Sequence, residues 1–225
     1  MSNLILFSLL ILFLVAVQFS RGMTINRLLS LHHEAVGGAA KIKSWHSLTL
    51  HARILVQQQT GVFQAEYDRG TSVKVHVDFP GTGRATQLIN PHHAQTLIER
   101  DGGVSHGELP SEASTFLVDA LDCFGTFFLF KRKNASLKYL GRERMEGADC
   151  YKIGSVNPSG GISFHYLRCD NYLHICSVKR FERNGRSVDE PTVFAEFRPD
   201  ASGFVLPFRI SVGGMTLLAD RYEIR

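Results

Sequence analysis

Gly103-Val104-Ser105-His106-Gly107 has the G-x-S-x-G spacing of a serine-hydrolase nucleophile elbow. That device needs a strand directly before the serine and a helix directly after it, in a largely parallel sheet. Here Gly107-Glu108-Leu109-Pro110 separates Ser105 from the next helical pattern, and no glycine-rich oxyanion segment precedes it. The motif reads as a glycine-rich loop, with a hydrolase at Ser105 as the remote alternative. His33-Glu34-Ala35-Val36-Gly37 opens as H-E-x-x-H does, but Gly37 stands where the second zinc ligand belongs. His32-His33 and His92-His93 are adjacent pairs, whose side chains diverge on a helix or a strand. Gly81-Thr82-Gly83-Arg84 is too short a glycine pattern to cradle a phosphate, and it follows Pro80 in an expected hairpin loop. No pair of acid–base groups has a usable spacing. Cys123, Cys150, Cys169 and Cys176 lack C-x-x-C spacing, which argues against a zinc knuckle or a thioredoxin-type centre. If oxidised they allow three connectivities, with Cys169 and Cys176 the best-placed pair because they flank an expected turn. Buried free thiols are an equally good reading. Asn134-Ala135-Ser136 is a glycosylation sequon, relevant only in a eukaryotic secretory pathway. The residues point to a protein without catalytic chemistry, metal or cofactor.

The elements that must carry these residues are mostly strands. From Leu48 the apolar period is two: Leu48, Leu50, Ala52, Ile54 and Val56 alternate with more polar neighbours. Phe63, Ala65 and Tyr67 continue the pattern, as do Val73, Val75, Val77 and Phe79. Such alternation marks half-buried antiparallel strands, with turns expected at Thr60-Gly61 and Arg69-Gly70. Weaker strands are expected at 85–89 and 94–99, and an irregular stretch from Asp101 to Pro110. Alternation resumes after Lys131-Arg132-Lys133, near 136–143, 148–156, 161–169, 173–183, 191–199, 204–213 and 215–225. Helical spacing occurs over 25–36, stopped by Gly37-Gly38, with a short turn of helix at 39–44. A second helical pattern starts after Ser111, where Phe116, Leu117, Ala120, Leu121 and Phe124 share one face, and runs into the strongly apolar Phe127-Phe128-Leu129-Phe130. About a dozen antiparallel strands with few helices predict a mainly β (α+β) fold. Its form is a large curved antiparallel sheet, an open half-barrel, with helices as lid or plug on the concave face.

Composition bounds the alternatives. With 44% hydrophobic residues, sixteen Phe and six Tyr, the 225-residue chain has ample surface to bury, which excludes a disordered protein. A net charge of +4 from scattered Lys and Arg excludes the basic stripe of a nucleic-acid binder. The one continuous apolar run, Leu4 to Val17, is shorter than the roughly 20 residues of a membrane span. With Ser20 and Gly22 at −3 and −1, it reads as an export signal over 1–22, with an uncleaved anchor as the alternative. A single domain then covers 23–225. No cysteine near the signal offers a lipid acceptor.

Leu140-Gly141-Arg142-Glu143-Arg144-Met145-Glu146-Gly147-Ala148-Asp149-Cys150-Tyr151-Lys152-Ile153 resembles the G-x-E-x-x-x-G-x-x-x-Y-x-[LI] hairpin of LolA-like outer-membrane lipoprotein-sorting proteins. Phe164 to Ile175 is similar to their strand–turn–strand around D-x-x-T-x-L-P, and Gly203-Phe204-Val205-Leu206-Pro207-Phe208-Arg209-Ile210 to their G-x-x-[LF]-P-x-x-I strand. His33 to Gly38 and Trp45-His46-Ser47-Leu48 resemble the opening helix, glycine pair and first strand. The resemblance spans 24–225. It departs from the family at Gly70, where a proline is usual, and at Asn90-Pro91-His92, where D-G-K is usual.

The resemblance implies a monomeric periplasmic carrier that holds lipid or lipoprotein acyl chains under a helical lid, between an inner-membrane transporter and an outer-membrane acceptor. Candidate lining residues are Ile54, Phe63, Val75, Val77, Phe164, Tyr166, Phe197, Phe208 and Ile210, beneath Phe116, Leu117, Leu121, Phe124 and Phe128. Arg69 takes the place of a family arginine that touches the lid. For any single one of these side chains, a place in a dry core around the helix is the stronger alternative. A structural or envelope-assembly protein of the same fold, binding partners through its sheet edges, is the alternative.

Overall fold

The computed structural model describes residues 23–69, 72–90, 94–100, 103–108, 136–156, 161–183 and 186–225. Helix α1 spans Ile25–Ala35, and the Thr24 side chain caps it by accepting from the Arg27 N–H at 3.3 Å. Gly37 has φ +130°, and a Cβ there would come within 3.0 Å of the Phe204 ring, so two constraints select glycine at this helix end. Helix α2 follows at Ala39–Ser44. No described helix is long and apolar enough to cross a membrane.

Thirteen strands follow. They are β1 Ser47–Val56, β2 Gln59–Asp68, β3 Ser72–Phe79, β4 Gly83–Ile89, β5 Ala94–Arg100, β6 Gly103–Glu108 and β7 Ser136–Met145. Then come β8 Ala148–Val156, β9 Ile162–Arg168, β10 His174–Arg183, β11 Arg186–Pro199, β12 Val205–Val212 and β13 Met215–Ile224. They form one sheet in the order β6-β5-β4-β3-β2-β1-β13-β12-β11-β10-β9-β8-β7, antiparallel at every step. The sheet is thus two meanders joined along the β1–β13 seam, and it does not close. Extra residues at Asp220, Leu140 and Ile175 shift the register and sharpen the local twist, as bulges do. The expected fold class, an open antiparallel half-barrel, is the observed one.

Register defines the two faces. Ile54 stands opposite Leu217, Leu217 opposite Ile210, and Ile210 opposite Phe194. Ala52 faces Phe63, and Phe63 faces Val77. These residues belong to the largest core cluster, together with Val36, Ile42 and Trp45 from the helical region. The face carrying the helices is the inner face. A second inner-face cluster packs Leu28 and Leu29 of α1 on Tyr151, Ile153 and Leu167.

The third cluster lies on the opposite, outer face of β8–β10. It contains Cys150 and Cys176, both fully buried, with Tyr166, Ile175 and, at its margin, Phe164 and Val178. Long cations cover it: Lys152 Nζ lies 4.7 Å from the Phe164 ring centre, and the Arg180 guanidinium 5.3 Å from it on the other side. Lys152 is held by Glu143 at 2.6 Å and Arg180 by both oxygens of Asp189 at 2.7 Å. The charged heads lie over the Phe164 ring as cation–π partners.

Three local expectations are corrected. The first hairpin turns at Gln57-Gln58, with Gln57 at φ 54°, and Gly61 lies inside β2. The glycine is needed there because a Cβ would meet the Phe79 ring at 2.8 Å and the Asp78 carbonyl at 2.6 Å. The stretch 103–108 is not irregular but the edge strand β6, paired with β5 throughout. Cys169 and Cys176 do not form a disulfide, and Cys150, Cys169 and Cys176 are free thiols. Cys169 packs with the inner cluster around Tyr151 and Cys176 with the outer one, so the sheet itself separates them. Cys123 lies outside the described residues.

Candidate functional site

The inner face of the sheet is the surface that gathers the expected lining residues. Ile54, Phe63, Val75, Phe208 and Ile210 are buried in its main cluster, with Val77 packed at the margin. Phe164 and Tyr166 are on the other side. Ser177 stands opposite both Thr192 and His165, and the Thr192–Phe194–Ile210 register carries the inner face to His165, so its sequence neighbours point outward. Phe197 packs at the margins of both the main inner cluster and the outer one. Phe116, Leu117, Leu121, Phe124 and Phe128 lie outside the described residues.

Arg69 lies where the helices meet the sheet. Its Nη1 donates to the Lys43 carbonyl at 2.8 Å and the Trp45 carbonyl at 2.9 Å, and its guanidinium stacks 5.1 Å from the Trp45 ring centre. It thereby binds the carbonyls left exposed at the end of α2, where a cation also suits the helix dipole. Trp45 packs in turn on Tyr67 at 5.7 Å.

A group that the sequence reading missed lies beneath α1. His165 sits between Ser155 and Ser177, with each ring nitrogen 2.9 Å from a hydroxyl oxygen. Ser177 Oγ is also 2.9 Å from His174 Nε2. The His174 ring lies edge-on to those of His165 at 5.4 Å and His32 at 6.5 Å, and 5.0 Å from Phe194. His32 Nδ1 bonds the Tyr172 carbonyl at 2.9 Å, which makes that nitrogen the protonated one in neutral imidazole. Burial holds His32 down to about 4, against a smaller upward pull from the Tyr172 carbonyl. Burial, with His165 and His32 alongside, holds His174 well below the ordinary imidazole value. The His32 and His174 rings are therefore neutral hydrogen-bonding groups at pH 7. The signal was present in the alternation: His165 lies between Phe164 and Tyr166, and the polar residue of that trio faces inward.

No group of described His, Cys, Asp or Glu residues is arranged to hold a metal ion. Ser105 lies in the middle of β6, opposite Ile98, on an exposed edge strand. It is not at a strand-to-helix elbow.

No protein-family model matches this chain, and no curated protein matches it in sequence. Solved structures do. A domain from Vibrio parahaemolyticus, named for outer-membrane lipoprotein sorting, superposes with a TM-score of 0.55 at 12% identity, covering 88% of this chain and 92% of that one. A LolA-superfamily protein of Nitrosomonas europaea gives 0.55 at 12% identity, over 91% and 94% of the two chains. The chain has a LolA-like fold. A DUF1329-family protein of Desulfovibrio piger superposes equally well, at 0.54 and 12% identity over 90% and 92%. At such identities the likeness concerns architecture. It agrees with the motifs around Leu140–Ile153 and Gly203–Ile210, which form the β7–β8 hairpin and the entrance to β12.

Proposed function

We propose that this protein binds the acyl chains of lipids or lipoproteins on the inner face of its LolA-like sheet, without covalent chemistry. The observation that carries this reading is the continuity of apolar rows across the sheet. One row runs Val77, Phe63, Ala52, Ala219, and another Ile54, Leu217, Ile210, Phe194. Thirteen strands give an inner face roughly 55–60 Å around, at ~4.8 Å per strand. Helices of 11 and 6 residues extend only about 16 and 9 Å. A face of that extent accommodates an apolar guest beside its own helices. In this proposal Phe116, Leu117, Leu121, Phe124 and Phe128 cover the guest, and Arg69 fixes the helical rim beside it. Burying a sixteen-carbon chain is worth on the order of 12 kcal/mol gross at ~0.8 per methylene. Ordering costs reduce that to the reversible affinity a carrier needs.

In the same reading, residues 1–22 direct export to the periplasm, where the protein takes cargo from a membrane transporter and yields it to an acceptor. The alternative, partner binding through sheet edges, draws on β6, which is exposed along its whole length. Native mass spectrometry of the gently purified protein, with lipid extraction of the same sample, separates the two. The expected result is stoichiometric acyl species. Apo mass alone, persisting after incubation with phospholipid and lipopeptide, would replace the carrier by the edge-binding protein.

A further inference from the structure

Toward β5 and β6 the described residues of the inner face become exposed, and its chemistry changes there. The row that begins at buried Phe63 and half-buried Val77 continues through Ala85 to Ile98, which is 44% exposed, and ends at Ser105. One row closer to the turns lie Gly61, Phe79, Gly83, Arg100 and Gly103. Phe79 faces Gly83 and Arg100 faces Gly103, and Gly61 makes room for the Phe79 ring to lean toward the core. With Phe79 drawn inward and no side chains on Gly83 and Gly103, a notch opens on either side of Arg100. It belongs to a cleft of about 700 Å³, lined also by Asp78, Pro80, Thr82, Arg84, Glu99 and Val104.

Arg100 is the charged group on this side of the notch. Its Nε donates to the Thr82 carbonyl at 3.2 Å, which holds the stem, and no acid among the described residues pairs with its terminal nitrogens. Two acids also line this cleft. Asp78 and Glu99 each precede an inner-face residue in sequence, so they point to the outer face, where Arg84 meets Asp78 at 2.8 Å. Phe79 links the two environments, since it lines the cleft and packs against the inner core.

The geometry points to this rim as the site for the anionic headgroup of an amphiphile whose chain lies along Ile98, Ala85 and Val77. This rests on the acyl-binding reading above and adds the headgroup class: a carboxylate or a phosphate monoanion or diester, taken by the Arg100 fork with Ser105 beside it. A charge-assisted, bidentate guanidinium–anion contact sets the expected discrimination at roughly tenfold.

The test uses the full chain and four probes: oleate, oleyl alcohol, and vesicles of dioleoyl phosphatidylglycerol or dioleoyl phosphatidylcholine. The expected result is a roughly tenfold preference for an anionic probe over its uncharged or zwitterionic partner, abolished in Arg100→Gln. Preference for oleate alone identifies a fatty-acid site, and preference for phosphatidylglycerol alone a phospholipid site. Gly103→Val keeps the charge but fills the notch, and should weaken binding of the preferred anion. Since both positions are exposed, circular dichroism melts should match the parent protein. Equal binding of all four probes, or a preference that survives Arg100→Gln, overturns the headgroup site and leaves acyl binding standing. Binding of none of them overturns both.

Discussion

The buried histidines make the protein acid-sensitive. His32 titrates near 4 and His174 well below the ordinary value when folded, whereas both return to about 6.5 when unfolded. Between those values the unfolded chain takes up protons that the folded chain excludes. Stability is therefore full above about pH 6.5 and falls as the pH drops toward 4, by up to about 1.4 kcal/mol per pH unit for each such histidine. Thermal melts from pH 7 to 4.5 should show this decline, and His174→Asn should flatten it; parallel profiles would remove the cluster as its cause. Arg69 makes a separate prediction. Arg69→Gln loses two charge-assisted bonds to the Lys43 and Trp45 carbonyls and should cost about 1–3 kcal/mol in urea melts. Arg69→Lys should recover only part, because an ammonium lacks the planar guanidinium that stacks on Trp45.

At the level of single elements, most of the fold could be read from periodicity, and the failures have definite causes. The alternation through Leu48, Leu50, Ala52 and Ile54 located β1 and its buried face together, because only one face of that strand is deeply buried. The same rule could not orient β8 to β10, where Cys150, Tyr166 and Cys176 are buried on one side and Ile153, Leu167 and His165 on the other. Apolar character then marks both faces, and alternation alone puts Phe164 and Tyr166 inward, although the inward residue is His165. Gly61 misled for another reason: glycine signals a turn, and here it makes room for a ring from the next strand. Gly61→Val should consequently destabilise by about 2 kcal/mol or more in chemical denaturation, through the clash with Phe79 and the Asp78 carbonyl. An unchanged midpoint would show that Phe79 swings clear at no cost. β6 escaped detection because Gly103, Gly107 and an all-exposed pattern leave no alternation to read.

For the whole molecule, the half-barrel was legible because strand number and the scarcity of helices leave few ways to bury so much apolar surface. The strand order was not, since nothing local says that β1 pairs with β13. That seam also sets how the protein is assembled. β1 and β13 face each other across a gap of roughly 170 residues of sequence, a separation that slows folding. At ~5–20 residues per second, a ribosome makes β13 roughly 10–30 s after β1. Throughout that interval the two meanders lack their common boundary, and the main core, which draws Leu217, Ala219 and Tyr222 from β13, stays incomplete. Removing Met215–Ile224 should therefore abolish the cooperative unfolding transition; a truncated chain that still melted as one unit would show that β12 can pair with β1 directly. Because β1 must wait for a partner far downstream, the centre of the sheet is its last part to be locked, a delay that a meander of sequential neighbours would not impose.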